Sequence, residues 1–170
     1  MSQIKTPPYD KFPFVSSDKI SLRQILDSDI SDLIEISFYD SVQATTLEEA
    51  LEMNSRINRD YEDGNSIHWG IVENITNKMV GTCGYYRGFD KGKGELGCVL
   101  LPQFRGQGLM TSAMLLAIEF GIRNIGLNRI WALTSQGNEK AIKLLERLDF
   151  KKNEVLDKNE VEFELITQSR

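Results

Sequence analysis

Residues 94–123 read GELGCVLLPQFRGQGLMTSAMLLAIEFGIR. An apolar run, 96–101, stops at Pro102; a short basic turn with Gly106 and Gly108 follows, and then a long apolar segment, 109–122. The pattern predicts a buried strand, a glycine-rich loop and a buried helix. Such a loop suits an anion. Glycine permits close backbone approach and positive φ. The first N–H groups of a helix have no intrahelical partner, and with the helix dipole they favour phosphate. Arg105 adds a fixed charge with several donors. Many strand-to-helix turns with two glycines bind nothing, so the phosphate reading leans on the rest of the chain.

The chain has 170 residues, 41% hydrophobic and 26% charged, which predicts one soluble domain over 1–170 with an irregular lead-in over 1–18. Net charge is -5, from 20 Lys and Arg against 25 Asp and Glu. That argues against a nucleic-acid partner and is compatible with a cationic substrate. Cys83 and Cys98 lie in apolar runs without CxxC spacing, and predict buried thiols in a reducing compartment. The single histidine, His68, makes a His-based metal site or a Ser-His-Asp triad unexpected, and a structural role is predicted for it. The N-terminus, MSQIKTPPYDKF, is unlike a signal peptide, and no apolar run has membrane-spanning length. A cytoplasmic protein without metal or membrane partner is expected.

Period and punctuation place the other elements. A strand is predicted from Ile20 to Leu26, then a helix capped by Asp27 or Ser28 with Ile30, Leu33, Ile34 and Phe38 on one face. Thr46 followed by Glu49 is a capping-box pattern opening a helix over 48–61. Residues 67–73 and 79–86 read as a hairpin, 95–101 and 129–134 as strands, 138–148 as a helix, and 150–156 and 161–166 as closing strands around Asp157, Lys158 and Asn159. The order satisfies a mixed α+β fold: a mostly antiparallel sheet of about seven strands flanked by about four helices.

In that order the residues resemble the GNAT superfamily of N-acetyltransferases, and within it the branch of ribosomal-protein N-terminal acetyltransferases. The resemblance is carried by Ser21-Leu22-Arg23 before an Asp-rich helix start, Ser66-Ile67-His68-Trp69-Gly70-Ile71, Val80-Gly81-Thr82-Cys83-Gly84, Glu95-Leu96-Gly97, Arg105-x-x-Gly108 and the Asn138-led helix. It spans roughly residues 20–166, and the ordered set is more specific than any one motif. The superfamily signature is Arg or Gln, two residues, Gly, one residue, then Gly or Ala. Gln103-x-x-Gly106-x-Gly108 matches it literally. Arg105-x-x-Gly108-x-Met110 departs at its last position but sets the glycine directly before the helix.

The resemblance implies a GNAT fold, with the sheet splayed at the cofactor strand, and acetyl-CoA as donor. Its pyrophosphate would lie on Arg105, Gly106, Gln107, Gly108, Leu109, Met110 and Thr111, and its pantetheine arm along Cys98, Val99 and Leu100. Asn138 matches an asparagine that bonds the cofactor arm, and as an N-cap it could also serve the helix alone. Acetyl transfer needs a deprotonated amine. A lysine amine, pKa ~10.4, is mostly protonated at neutral pH and an α-amine, near ~8, much less so. Glu95 stands where relatives often carry the general base, and could equally be a solvated strand-end glutamate. The tyrosine that many members use to protonate the thiolate is Leu145 here. Ser135 and Tyr85 are weak substitutes. Ala141 stands where this branch often has serine, and Asp149 where glycine precedes Phe150.

The reading is therefore an N-acetyltransferase acting on a protein N-terminus or small amine, as a monomer or homodimer. The alternative is a silent acyl-CoA-binding sensor. A nucleotide-binding protein fits poorly, since GxxxxGK[ST] is missing and the glycine loop is not a first βα turn. The acceptor cleft is expected from the two early helices and the loops at 40–46, 85–93 and Asp157.

Overall fold

The computed structural model describes residues 3–156 and 159–167. Short strands β1 (Val15–Ser16) and β2 (Ile20–Gln24) come first. A separate hairpin, β3 (Phe38–Tyr39) and β4 (Val42–Gln43), precedes helix α1 (Leu47–Glu62). Then follow β5 (Ile67–Glu73), β6 (Lys78–Tyr86), β7 (Lys93–Leu100), α2 (Leu109–Phe120), β8 (Arg129–Ser135), α3 (Glu139–Arg147), β9 (Lys151–Val155) and β10 (Glu160–Ile166). Eight strands join one sheet in the order β1-β2-β5-β6-β7-β8-β10-β9. Only β7 and β8 run parallel; the other neighbours are antiparallel. Asp157 and Lys158, expected in the last turn, lie outside the described residues.

Alternation along the strands splits the core between the two faces of the sheet. Ile20, Leu22, Ile67, Trp69, Leu96 and Leu100 pack with Ala113, Ala117, Phe120 and Leu144 in one cluster. Val72, Met79 and Leu101 pack with Ile30, Leu33, Ile36 and Ala50 in the other. Helix α2 is apolar nearly all round because its buried side chains include Leu109, Met114 and Ile118 as well. It continues into a π-turn, Gly121–Ile125, closed by Gly126 at φ 89.

Two sequence expectations are corrected. Residues 27–36 form two 3-10 turns, Asp27–Asp32 and Ile34–Ile36, rather than an α-helix. The Asp29 carboxylate accepts from Leu26 N–H at 2.8 Å and holds Arg23 at 2.8 Å, so this side chain competes for the turn's geometry. Phe38, counted on that helix face, starts β3 and is largely exposed. The mostly antiparallel sheet flanked by helices is as expected, with eight strands and, among the described residues, three α-helices.

The lead-in is built into the fold. Lys5 N–H donates to Ile125 O at 2.9 Å, Tyr9 N–H to the Tyr61 hydroxyl at 3.1 Å, and Trp69 Nε1–H to Pro13 O at 3.0 Å. These bonds tie it to α1, the sheet and the end of α2. Thr46 caps α1 as expected, its hydroxyl accepting from Glu49 N–H at 3.1 Å. The returning bond of the capping box shifts by one residue: Glu49 accepts from Thr45 N–H at 3.0 Å.

Candidate active site

The parallel pairing of β7 with β8 is short. It covers Lys93 with Arg129, Gly94 with Ile130, and Glu95 with Trp131. Beyond Glu95 the strands part, while β7 stays paired with β6 as far as Leu100. Leu101 N–H donates to Val80 O across β6, so odd-numbered backbone groups of β7 face β6 and even-numbered ones face the gap. Cys98 and Leu100 therefore turn N–H and C=O into the gap, an edge that an extended ligand can pair with. Arg105 marks that side: its Nη2 reaches Leu100 O at 3.3 Å. Val99 turns its backbone to β6 and its side chain to a cavity on the other face.

The glycine loop closes the end of this gap. Gly106 and Gly108 sit at φ 79 and 78, in the left-handed region. A Cβ added at Gly106 would meet nothing within 4 Å, and one at Gly108 only Lys19 Nζ, at 3.9 Å. The loop face is thus open, with one further cation beside it that the sequence did not suggest. Helix α2 starts directly after Gly108, with Leu109, Met110 and Thr111 in its first turn and no side-chain cap on their N–H groups. Two left-handed glycines, exposed Arg105 and Gln107, neighbouring Lys19 and free helix N–H groups form a donor set suited to a pyrophosphate. Asn138 caps α3, its Oδ1 accepting from Ala141 N–H at 3.2 Å. That leaves the amide nitrogen as the group able to serve a ligand.

On the opposite face a cavity of about 740 Å³ opens. Its wall comes from the 3-10 turns and α1, including Ile30, Ile36, Met53 and Ile57. The β3–β4 turn contributes Asp40 and Ser41. Its floor is the sheet itself. Tyr86 and Glu95 are cross-strand partners, as are Gly84 and Gly97. The two glycines make a recess for the Tyr86 ring: a Cβ at Gly97 would lie 3.0 Å from Tyr86 Cε2, and one at Gly84 3.0 Å from its hydroxyl. Tyr86 OH then meets His68 Nδ1 at 2.6 Å. Burial pushes the His68 imidazole down to about 4, so it is neutral at ordinary pH. Burial also raises the Tyr86 phenol well above its usual range.

Glu95 stands where the gap and the cavity meet. It belongs to the last β7–β8 pair and lines the cavity floor. Both of its oxygens accept from Arg87 Nη1, at 2.6 and 2.5 Å. The glutamate side chain is 12% exposed and the arginine 60%. Arg87 has φ 60, a conformation unusual for a side-chain-bearing residue. Sequence reasoning missed Arg87, Tyr86 and Ser66 because no spacing rule links them; only strand pairing does. It assigned His68 a structural role, and His68 does anchor Tyr86, but in the cavity floor. The expectation for Tyr85 as a proton donor is overturned. Its hydroxyl donates to Ala117 O at 2.6 Å on the fully buried face. Leu145 is buried, and Ser135 is exposed at the end of β8. Asp149 takes φ 68 just past α3, the left-handed position that glycine usually fills after a helix. Cys83 is buried as expected, whereas Cys98 is half-buried and lines the cavity. Among the described residues no cluster of three or more His, Cys, Asp or Glu could hold a metal ion, and no helix is long and apolar enough to cross a membrane.

Comparison with known proteins gives this architecture its family. The acetyltransferase (GNAT) domain profile matches residues 19–151. The N-acetyltransferase YoaA of Bacillus subtilis, itself uncharacterized, is 28% identical over 153 residues, covering 85% of this chain and 86% of its own. Among solved structures, RimL, a ribosomal-protein α-N-acetyltransferase in complex with coenzyme A, has a TM-score of 0.78 at 16% identity, over 91% of this chain and 98% of its own. A dodecameric spermidine N-acetyltransferase from Vibrio cholerae has a TM-score of 0.73 at 14% identity, over 88% and 95%. At such identities the structural likeness is one of fold, and the sequence match over most of the chain makes it a member of the GNAT family of acetyltransferases.

Proposed function

We propose that the chain transfers the acetyl group of acetyl-CoA to a primary amine by direct attack, with Glu95 as general base. The observation that carries this reading is the parting of β7 from β8 at Glu95. It leaves a gap with a glycine loop at its end on one side, and an acceptor-sized cavity on the other. The cofactor supplies an activated acetyl thioester. Arg105, Gly106, Gln107, Gly108, Leu109, Met110 and Thr111 would hold its phosphates, with Lys19 adding charge. Cys98 and Leu100 would align its arm by backbone pairing and the Asn138 amide would donate to it, whereas Val99, expected along the arm, gives its backbone to β6 and its side chain to the acceptor cavity. Placing donor and amine at one point supplies much of the rate. Glu95 takes one proton from the nitrogen as the new C–N bond forms and the carbon–sulfur bond breaks.

RimL acts on a ribosomal protein, and the Vibrio cholerae neighbour on spermidine. Both acceptors are primary amines, which supports the class without choosing between them. The test is acetyl-CoA turnover over a panel of N-terminal peptides, amino acids and polyamines, read as released thiol. Turnover with at least one acceptor is expected. Micromolar acetyl-CoA binding without turnover of any acceptor would replace the enzyme by a sensor.

A further inference from the structure

Among the described residues, one buried side-chain polar atom has no partner, and it lies in the cavity floor: Ser66 Oγ, in a residue 4% exposed. A hydroxyl buried without a partner is costly, and such an atom lining a cavity points to a ligand that satisfies it. Its position is informative. Ile67 pairs with Tyr85, which sets Ser66 beside Tyr86, and Tyr86 pairs with Glu95. Ser66, Tyr86 and Glu95 thus form one row across three strands. Arg87 follows Tyr86, and its chain is pinned to the Ser66 side by Gly88 N–H donating to Asn65 O at 2.7 Å. So the unpartnered hydroxyl and the Arg87 backbone stand at one end of the row, and the Arg87 side chain reaches from there to Glu95 at the other.

Among the described residues, Arg87 is the only arginine or lysine lining this cavity. It is committed to Glu95 through both carboxylate oxygens. An acceptor that brings only an ammonium must displace the guanidinium from Glu95 and leave it unmatched. An acceptor that also carries a carboxylate exchanges one ion pair for two. We propose that the acceptor is an amino-carboxylate with an apolar side chain: Glu95 takes its ammonium, Arg87 and the Ser66 hydroxyl take its carboxylate, and the Ile36, Met53 and Ile57 wall takes its side chain. This rests on the acetyl-transfer reading above and names its acceptor class. The other acids of the cavity do not oppose it directly. Asp60 accepts from the Tyr39 hydroxyl at 2.9 Å, and Asp40 is exposed on the β3–β4 turn.

Three acceptors test it with the full chain: leucine, leucinamide, which lacks the carboxylate, and putrescine, a diamine. Leucine is expected to show kcat/KM at least tenfold above both others. Arg87→Met should lower kcat/KM for leucine at least tenfold and leave leucinamide within threefold or faster. Ser66→Ala should raise the leucine KM severalfold at unchanged kcat. Leucinamide or putrescine equal to leucine would overturn the proposal, and so would an Arg87→Met loss shared equally by all three. Turnover of a panel peptide but of none of these three would overturn the proposal; should no acceptor of the whole panel turn over, the acetyl-transfer reading fails, and calorimetry with CoA present decides the inference alone. Leucine binding without leucinamide binding supports it; equal or no binding of the two sinks it.

Discussion

The two sides of Glu95 are built in opposite ways. The donor side is built mainly from one continuous stretch, in which β7, the glycine loop and the start of α2 follow one another between residues 93 and 120, with Lys19 and Asn138 added from outside it. The acceptor side is assembled from five separated pieces: the 3-10 turns, the β3–β4 hairpin, α1, and the facing ends of β5 and β6. The first needs only local backbone geometry, namely two left-handed glycines and a helix N-terminus. The second exists only once strands pair and α1 packs over them. Chemistry common to a family can therefore be carried by a short stretch, while acceptor choice is spread through the fold. Residues of the first kind can be altered one at a time; those of the second act through one another.

Glu95 belongs to both sides, and its replacement is the hardest test of their meeting point. Glu95→Gln is expected to cut kcat roughly a hundredfold or more, the ordinary share of a general base. The acetyl-CoA Kd should stay within twofold, because the contacts proposed for the donor do not include the carboxylate. A fall in kcat below threefold would assign the base elsewhere.

The acceptor side should also carry an acid sensitivity that the donor side lacks. His68 is near 4 in the folded protein against an ordinary 6.5, because burial disfavours its charged form. The unfolded chain then binds the proton more readily. This group's contribution is fully present above about pH 6.5, is lost as pH falls, and is gone below about 4. About 3 kcal/mol of stability at most should disappear over that window. Chemical denaturation at pH 7.5 and pH 4.5 measures it, and His68→Gln should flatten this part of the profile. An unchanged slope in that variant would place the acid sensitivity in other groups.

The smallest expected effect separates two roles on the donor side. Asn138→Asp keeps an oxygen to cap α3 through Ala141 N–H but removes the amide donor. If the amide serves the cofactor, acetyl-CoA affinity should weaken about tenfold, the worth of one good hydrogen bond, with stability nearly unchanged. Asn138→Ala should lose both, including about 1 kcal/mol of cap energy. Equal affinity in the Asp variant would leave Asn138 as a cap alone.

Most strands were legible from apolar alternation, and residues 67–73 were placed to the residue. The first helix was not, because Asp and Ser side chains compete with the backbone and tertiary packing then decides the turn type. The lead-in carries no periodic pattern, and its strap-like bonds to Tyr61, Trp69 and Ile125 depend on partners far along the chain. At the site, Glu95 and the glycine loop could be picked out because their neighbours in space are also neighbours in sequence. Tyr85 and Tyr86 are adjacent and chemically identical, yet one lies in the core against Ala117 and the other in the cavity on His68. Period-two alternation says that they face opposite ways, but not which way is inward.

Local spacing in the sequence carries the family, the elements from α1 to β10 and the phosphate-suited loop. Only the tertiary structure decided where β7 leaves β8, which tyrosine floors the cavity, and that Arg87 and Ser66 stand in one row with Glu95. The physical reason is that strand register and helix docking are set by long-range burial, and no short window of residues encodes which distant side chains that burial brings together.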